Sequence, residues 1–199
     1  MTTYAFPSIT PSTSTWAYTP NTRAYRSPLT NSIQTVGRKG SLWHVTLQFN
    51  NLDEAQRAEM QAFLVRLNGQ QHRFTLNDHA YTRRGTGGGS PKVDVAGQTG
   101  GSLNLRDAAV SVTPWLMAGD YFSVANELKM VVADCNSDGD GDVPVFFQPN
   151  LRTSPADGAV VDITAPVNGV FILASDPKWD NRPGIFSSFG LEAFEDVLA

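Results

Sequence analysis

The chain has 199 residues, of which 41% are hydrophobic, and its formal net charge is −4. This length suits one domain, or one domain with a small insertion, and the composition is typical of a globular chain rather than a disordered one. A single cysteine, Cys135, excludes an intramolecular disulfide. No apolar run approaches the ~20 residues of a membrane helix. We therefore expect a soluble, non-exported protein without membrane insertion.

The charge is divided unevenly along the chain. Residues 1–90 carry nine basic and four acidic side chains, a net charge of +5, whereas residues 91–199 carry six basic and fifteen acidic ones, a net charge of −9. Two interpretations remain open. The two parts form solvated surfaces with no partner, or they are opposite faces of a subunit that attract neighbouring subunits.

The first twenty residues are polar and rich in Thr, Ser and Pro. They predict an N-terminal arm with few strands, in which Trp16 and Tyr18 are candidate docking aromatics. Because the apolar content of this arm is too low for it to fold alone, we expect it to become ordered only against a neighbouring subunit.

A strand–helix–strand unit is predicted over residues 42–76. Apolar residues alternate through the first strand, which ends at a two-residue turn, Asn50-Asn51. They alternate again through the second strand with His72, Phe74 and Leu76. The apolar positions of the first strand are Leu42, Trp43, Val45, Leu47 and Phe49.

The helix of this unit has clear signals at both ends. Asp53 is the expected N-cap, with Gln56 as its capping-box partner and Leu52 as the staple residue before it. Asn68-Gly69 predicts a left-handed end. The apolar positions at i, i+3, i+4 and i+7, which we expect in the core, are Met60, Phe63, Leu64 and Leu67. The unit contains no catalytic constellation.

Short strands alone are predicted after the Gly-rich break at residues 85–91. They are Leu103–Leu105, Tyr121–Val124, Leu128–Ala133, Val143–Phe147 and Ala159–Ile163. A tight hairpin at Asn126-Glu127 joins the second to the third. Val170–Leu173 is a strand that could return to the first sheet. The tail is expected to be a strand followed by a short helix at about Leu191–Val197.

The predicted fold class is therefore α+β, mainly β. A strand–helix–strand core sheet accepts an inserted small β-barrel or β-sandwich domain. The core domain comprises residues 1–84 and 168–199, with residues 1–20 as its arm, and the inserted all-β domain comprises residues 85–167. The two crossings are expected at the Gly-rich break and at a turn near Ala165-Pro166.

An Asp-rich loop is the sharpest chemical candidate, and its oxygen-bearing residues are Asp134, Asn136, Asp138, Asp140 and Asp142. Its first six residues match the start of a calcium loop. The twelfth position, however, is Val145 where a bidentate Glu should lie, and both flanks are predicted strands. We expect a solvated hairpin tip and no metal site, with calcium binding left open.

The remaining candidate sites are weaker. Gly85–Gly89 lacks the Lys and the helix of a phosphate-binding loop. His44, His72 and His79 lack zinc-site spacing, and Cys135 has no nearby His. The exposed cations expected to lie on a solvated or subunit-binding face are Arg23, Arg26, Arg38, Lys39, Arg83 and Arg84. We predict no enzymatic activity, no catalytic, cofactor-binding or metal residues, no cofactor and no specific nucleic-acid recognition.

Several stretches resemble tail-tip structural proteins of long, flexible-tailed bacteriophages (siphoviruses), most closely the distal tail protein class. They are GSLWHVTLQFNNLDEAQRAEMQAFLVRLNGQQHRFTL (residues 40–76), VAGQTGGSLNL (95–105), LMAGDYFSV (116–124), QPNLR (148–152) and NGVFILASD (168–176). The resemblance covers about residues 30–180. It implies a virion protein at the tail tip, assembled in the bacterial host cytoplasm. There it would form a homo-oligomeric ring, most simply a hexamer, that joins the tail tube protein to the tip hub protein and the receptor-binding apparatus.

Alternative functions remain open at this stage. One is a lambda-like minor tail protein near a trimeric hub, which would differ in copy number. Another is a carbohydrate-binding β module used in host attachment, with Trp115, Tyr121 or Trp179 stacking on sugars. A cell-wall hydrolase has the least support, because no catalytic set is visible. The sequence identifies neither the ring order nor the host receptor.

Overall fold

The computed structural model describes residues 1–164, 167–179 and 187–196. The strands of the first half are β1 (Thr3–Ala5), β2 (Thr13–Thr19), β3 (Thr22–Arg26), β4 (Ile33–Gly37), β5 (Leu42–Leu52) and β6 (Arg73–Asn77), and helix α1 spans Glu54–Leu67. Those of the second half are β7 (Gly89–Val93), β8 (Gly100–Ala108), β9 (Tyr121–Val124), β10 (Glu127–Val131), β11 (Val143–Leu151), β12 (Val161–Asp162), β13 (Asn168–Leu173) and β14 (Ser187–Glu195). With one helix among these described elements, the structure confirms the predicted α+β, mainly β class.

The first sheet has six strands in the order β1-β6-β13-β14-β5-β2. Its pairs are antiparallel except for β1 with β6, which are parallel. β13 therefore returns to the first sheet, as predicted for Val170–Leu173. Because β13 and β14 lie between β5 and β6, the two strands that flank the helix in sequence are not neighbours in the sheet.

The helix agrees with its sequence signals. The Asp53 side chain accepts from the Gln56 backbone N–H at 2.8 Å, and the Gln56 side chain accepts from the Asp53 N–H at 3.2 Å. Asn68 ends the helix in the left-handed conformation. The buried face consists of the four predicted residues, Met60, Phe63, Leu64 and Leu67. They join the aromatic core of the first sheet.

The predicted turn at Asn50-Asn51 is wrong, because β5 continues to Leu52. Its pairing with β14 shifts register at this point, so β5 bulges instead of ending. Asn51 has a φ of 60°. Asn tolerates this left-handed conformation, so the strand can bend here without breaking.

The second sheet also has six strands, in the order β12-β9-β10-β11-β8-β7. Its two edges approach each other, since the Val93 N–H donates to the Ala159 carbonyl at 2.9 Å. The sheet is therefore nearly closed and barrel-like, with its own apolar core. All its strands come from the segment expected as the insertion. The division of the chain into two domains stays a prediction.

The tight hairpin between β9 and β10 is present, one residue earlier than predicted. Its central residues are Ala125 and Asn126, both with positive φ, and Glu127 already pairs with Val124. Two successive positive φ values are typical of the turn whose twist matches that of the flanking strands.

The expectation of a strand-poor N-terminal arm is wrong. β1 and β2 form the two edges of the first sheet. Trp16 packs against Trp43 and Phe171, with ring centroids 6.3 and 5.7 Å apart. Thr and aromatic side chains favour strands, and their pairing with β6 and β5 supplies the apolar contacts that the segment lacks by itself. The segment is thus ordered within its own chain.

The C-terminal segment is a strand from Ser187 to Glu195. The helix expected at Leu191–Val197 is therefore wrong over residues 191–195. The period-2 burial of Phe189, Leu191 and Ala193 against the core explains the strand. The expected crossing near Ala165-Pro166 lies outside the described residues.

Buried charges join the two sheets. The Glu195 carboxylate, on β14, accepts from the Leu128 N–H of the second sheet at 3.0 Å and from Arg152 at 2.5 Å. It also accepts from the Trp43 N–H at 3.3 Å. Lys129, fully buried, bonds to Glu127 at 2.5 Å, and burial lowers the pKa of its ammonium group. The opposite charges compensate one another, which a buried charge requires.

Candidate functional site

The β3–β4 hairpin, residues 20–40, is the most unusual surface of the protein. All ten residues of its two strands are exposed. β3 pairs with β4 and with no other strand that the structure describes. Four large apolar side chains lie on it with exposed fractions from 40% to 93%: Tyr25, Leu29, Ile33 and Val36. An isolated two-stranded hairpin is at best marginally stable in water, so this one requires a covering surface.

The hairpin is nevertheless well defined by its own hydrogen bonds. At its tip, the Ser27 N–H donates to the Ser32 carbonyl at 2.9 Å. At its base, the Arg38 N–H donates to the Asn21 carbonyl, and the Asn21 amide donates to the Lys39 carbonyl, both at 2.8 Å. These hydrogen bonds close the ribbon at both ends.

The two faces of the hairpin differ. Directly paired residues of antiparallel strands point to the same side. Arg23 with Val36 and Tyr25 with Gln34 therefore form one face. Arg26 with Ile33 and Ala24 with Thr35 form the other. Each face carries one arginine beside apolar side chains, so neither face is purely polar.

The hairpin is strongly basic. It contains Arg23, Arg26, Arg38 and Lys39, and the first acidic residue of the chain is Asp53. None of the four cations forms a salt bridge with any carboxylate among the described residues. Arg83 and Arg84 lie elsewhere and donate to the carbonyls of Ile163 and Ala118. The six predicted cations thus separate into a hairpin group and a structural pair.

The Asp-rich loop is a hydrogen-bonded turn. Asp138 Oδ1 accepts from the backbone N–H groups of Asp140 and Asp142, at 3.0 and 2.8 Å, and these bonds lower the pKa of the Asp138 carboxyl. The Asp134 carboxylate accepts from the Ala118 N–H. Over the described ranges, no group of three or more His, Cys, Asp or Glu side chains could hold a metal ion.

The three histidines have different partners in the fold. His44 pairs with Glu192 at 2.7 Å and stacks on Phe194. His72 meets the ring of Tyr4 edge-on, on the far side of the first sheet. Burial lowers the pKa of His79. These positions provide no shared metal site.

The candidate sugar-stacking aromatics are mostly unavailable for contact. Trp115 is fully buried and Tyr121 is 5% exposed. Both lie in the apolar cores. Trp179 is exposed, but it lies outside the second sheet. Stacking on Trp115 or Tyr121 would require the cores to open.

The Gly-rich break is anchored instead of free. The buried Asp120 carboxylate accepts from the backbone N–H groups of Arg84, Gly85 and Met117, and from the Tyr81 hydroxyl at 3.2 Å. A Cβ at Gly85 would lie 2.5 Å from the Trp115 carbonyl oxygen. Glycine is required at this position because the backbone of residue 115 approaches so closely. The hydrogen bonds of Asp120 fix the place where the chain enters the second sheet.

The hairpin was not among the elements predicted from the sequence, although its signals are present there. Thr, Tyr, Ile and Val, which favour strands, flank the turn-forming residues 27–32, with the sequence SPLTNS. What the sequence could not reveal is that both faces stay exposed.

Comparisons of the chain with protein-family models and with curated proteins found no match. In the part of the chain that the structure describes, no helix has the length and apolar character needed to cross a membrane. The resemblance to tail-tip proteins accordingly rests on the sequence stretches alone.

Proposed function

We propose that this chain is a structural subunit of a siphovirus tail tip, most like a distal tail protein. It forms a homo-oligomeric ring that joins the tail tube to the hub and the receptor-binding apparatus. The observation that carries the proposal is the β3–β4 hairpin, which is basic and partly apolar, and which has no covering surface among the described residues. Such a surface is typical of a subunit whose fold is completed by its neighbours.

The unequal charge of the two parts of the chain supports a ring. A basic first part and an acidic second part attract each other when they belong to different copies. Contacts between unlike surfaces are head-to-tail, and they close into a ring when the rotation between copies permits. A hexamer is the state that the resemblance implies, and a trimeric arrangement near the hub is the alternative.

The hydrogen bonds of the buried carboxylates also agree with a structural role. Asp120, Glu195 and Glu127 all bind backbone groups or buried cations, so they hold the fold together. The absence of enzymatic activity remains a prediction. Reproducible turnover of peptidoglycan or polysaccharide by the purified protein would contradict it.

The test is a cryo-electron microscopy reconstruction of the tail tip. We expect this chain as a ring between tube and hub, with six copies for a distal tail protein and three for a minor tail protein of the hub. Its absence from the virion, or its presence as a monomer touching neither tube nor hub, would overturn the proposal. A monomer in dilute solution would not, because interfaces built partly on charge are weak in salt.

A further inference from the structure

The outer face of the second sheet carries an exposed apolar patch. Val132 follows β10 directly, and its N–H donates to the carbonyl of Phe146 on β11 at 2.9 Å. The two side chains are 53% and 51% exposed. Pro144, two residues from Phe146, lies on the same face and is exposed. These three residues form the apolar patch.

The surroundings of the apolar patch are acidic. Asp142 directly precedes β11 and lies two residues before Pro144, and Asp134 lies two residues after Val132. Desolvation is the main cause that raises the pKa of the Asp142 carboxyl, and the nearby charges of Asp138, Asp94, Asp140 and Asp107 add to it. Two cations pair with carboxylates of this group: Lys92 with Asp107, and Arg106 with Asp94.

The apolar patch and the hairpin are complementary. One is apolar and lies near carboxylates in the chain, and the other is apolar and carries arginines that pair with no carboxylate in the described part of the chain. The hairpin of the same chain does not cover the patch. The strand that leads into the hairpin is nevertheless near, because the Tyr18 hydroxyl donates to Gln148 Oε1 at 3.2 Å. Gln148 lies two residues after Phe146 on β11. The apolar character and the opposite charges of the two surfaces fit a contact between two molecules.

We propose that the apolar patch receives the β3–β4 hairpin of a second copy of this chain, which rests on the proposed ring-forming function. Tyr25 and Val36 pack on Val132, Pro144 and Phe146, and Arg23, on the same face of the hairpin, lies against the carboxylates of Asp134 and Asp142. Arg26 belongs to the opposite face and faces away from the patch.

Disulfide cross-linking between two single-cysteine variants tests this contact. Both variants carry Cys135→Ser, which removes the native cysteine. The first then carries Val36→Cys and the second carries Phe146→Cys, so each has a single cysteine. They are mixed at high protein concentration and oxidised with diamide. A linked dimer of the two variants can form only between copies, and it requires Cα atoms within about 7 Å. The control pair combines Phe146→Cys with Val65→Cys, a position on α1 that is 66% exposed.

We expect the hairpin pair to give at least about tenfold more linked dimer than the control pair, because docking raises the effective concentration of the two thiols. Arg23→Glu in the hairpin variant should lower the yield to that of the control pair. Arg26→Glu is the matched control and should leave it high. Equal yields from the hairpin and control pairs, or loss with Arg26→Glu but not with Arg23→Glu, would overturn the proposal.

The same experiment separates this inference from the proposed function. If the chain forms a ring on the tail but Val36 and Phe146 do not cross-link, the hairpin has another acceptor and this inference fails alone. If the cross-link forms but the chain is absent from tail tips, the contact stands and the function fails.

Discussion

Phe63 lies at the centre of the contact between α1 and the first sheet. Its ring meets those of Phe6 and Phe74 edge-on, with centroids 5.3 and 5.8 Å apart, and only 8% of the residue is exposed. We expect Phe63→Ala to lower the free energy of unfolding by about 3–5 kcal/mol, because it leaves a cavity among aromatic rings. Denaturant unfolding measures this change.

Val65→Ala, on the exposed side of the same helix, is the control for Phe63→Ala. We expect it to change stability by no more than about 0.5 kcal/mol. A melting temperature unchanged by Phe63→Ala would show that the helix packs through another face.

The Tyr81 phenol makes the stability of the fold depend on pH in the alkaline range. Burial is the main reason that its pKa is raised to about 12, with the nearby Asp120 charge adding to the effect. Between its ordinary value of 10.0 and about 12, the folded state keeps the phenol proton that the unfolded state has lost. The stability contributed by Tyr81 is therefore present below pH 10 and is lost as the pH rises through about 12.

We expect late phenolate ionisation in a near-ultraviolet absorbance titration, and Tyr81→Phe should lower the amplitude of this late step. Part of the step remains, because burial also raises the pKa of Tyr121. Tyr25→Phe, on the exposed hairpin, is the control and should leave the late step in place. Disappearance of that step with Tyr25→Phe alone would contradict the assignment.

At the level of the strands, the buried ion pair between Glu195 and Arg152 connects the two sheets. The two side chains are 0% and 8% exposed. Glu195→Gln should destabilise the protein by about 3–5 kcal/mol, since it leaves the buried cluster of Lys129, Arg152 and Glu127 with one uncompensated positive charge. Thermal and denaturant unfolding measure the loss.

The exposed Arg106–Asp157 ion pair is the control for the buried Glu195–Arg152 pair, because both of its side chains are more than one-third exposed. Asp157→Asn should change the free energy of unfolding by about 0–1 kcal/mol. Equal effects of Glu195→Gln and Asp157→Asn would show that the buried pair does not hold the sheets.

The Asp-rich loop should not respond to calcium. Asp138 already accepts backbone hydrogen bonds within the turn, and the closing Glu of a calcium loop is replaced by Val145. We expect the melting temperature to be the same with about 1 mM calcium as with a chelator, a concentration that saturates all but the weakest loop sites. A clear rise with calcium, reversed by the chelator, would instead establish a metal site.

At the scale of the whole molecule, the hairpin should matter for assembly and not for folding. Replacing residues 22–37 by Gly-Gly removes side chains that are exposed in the monomer, with the exception of the half-buried Ser27. We expect a melting temperature close to that of the full chain and a loss of incorporation into tails, measured by complementation of a deletion phage. A large fall in melting temperature would mean that the hairpin belongs to the monomer fold.

The sequence by itself determined the features that neighbouring residues control. The cap at Asp53, the left-handed end at Asn68 and the buried face around Phe63 and Leu67 depend on contacts within a few residues. The alternating strands and the mainly β class follow from the period of apolar side chains for the same reason. These signals act locally, so the surrounding fold did not need to be known.

The tertiary structure alone decided how distant segments pair and which surfaces remain uncovered. Residues 1–20 became edge strands because β6 and β5 accept them, and residues 191–195 became a strand because β5 and β13 lie on either side of β14. The hairpin has ordinary strand signals, and only the packing of the other strands shows that nothing described covers Tyr25 and Val36. Long-range pairing and burial depend on the whole chain, which no local pattern contains.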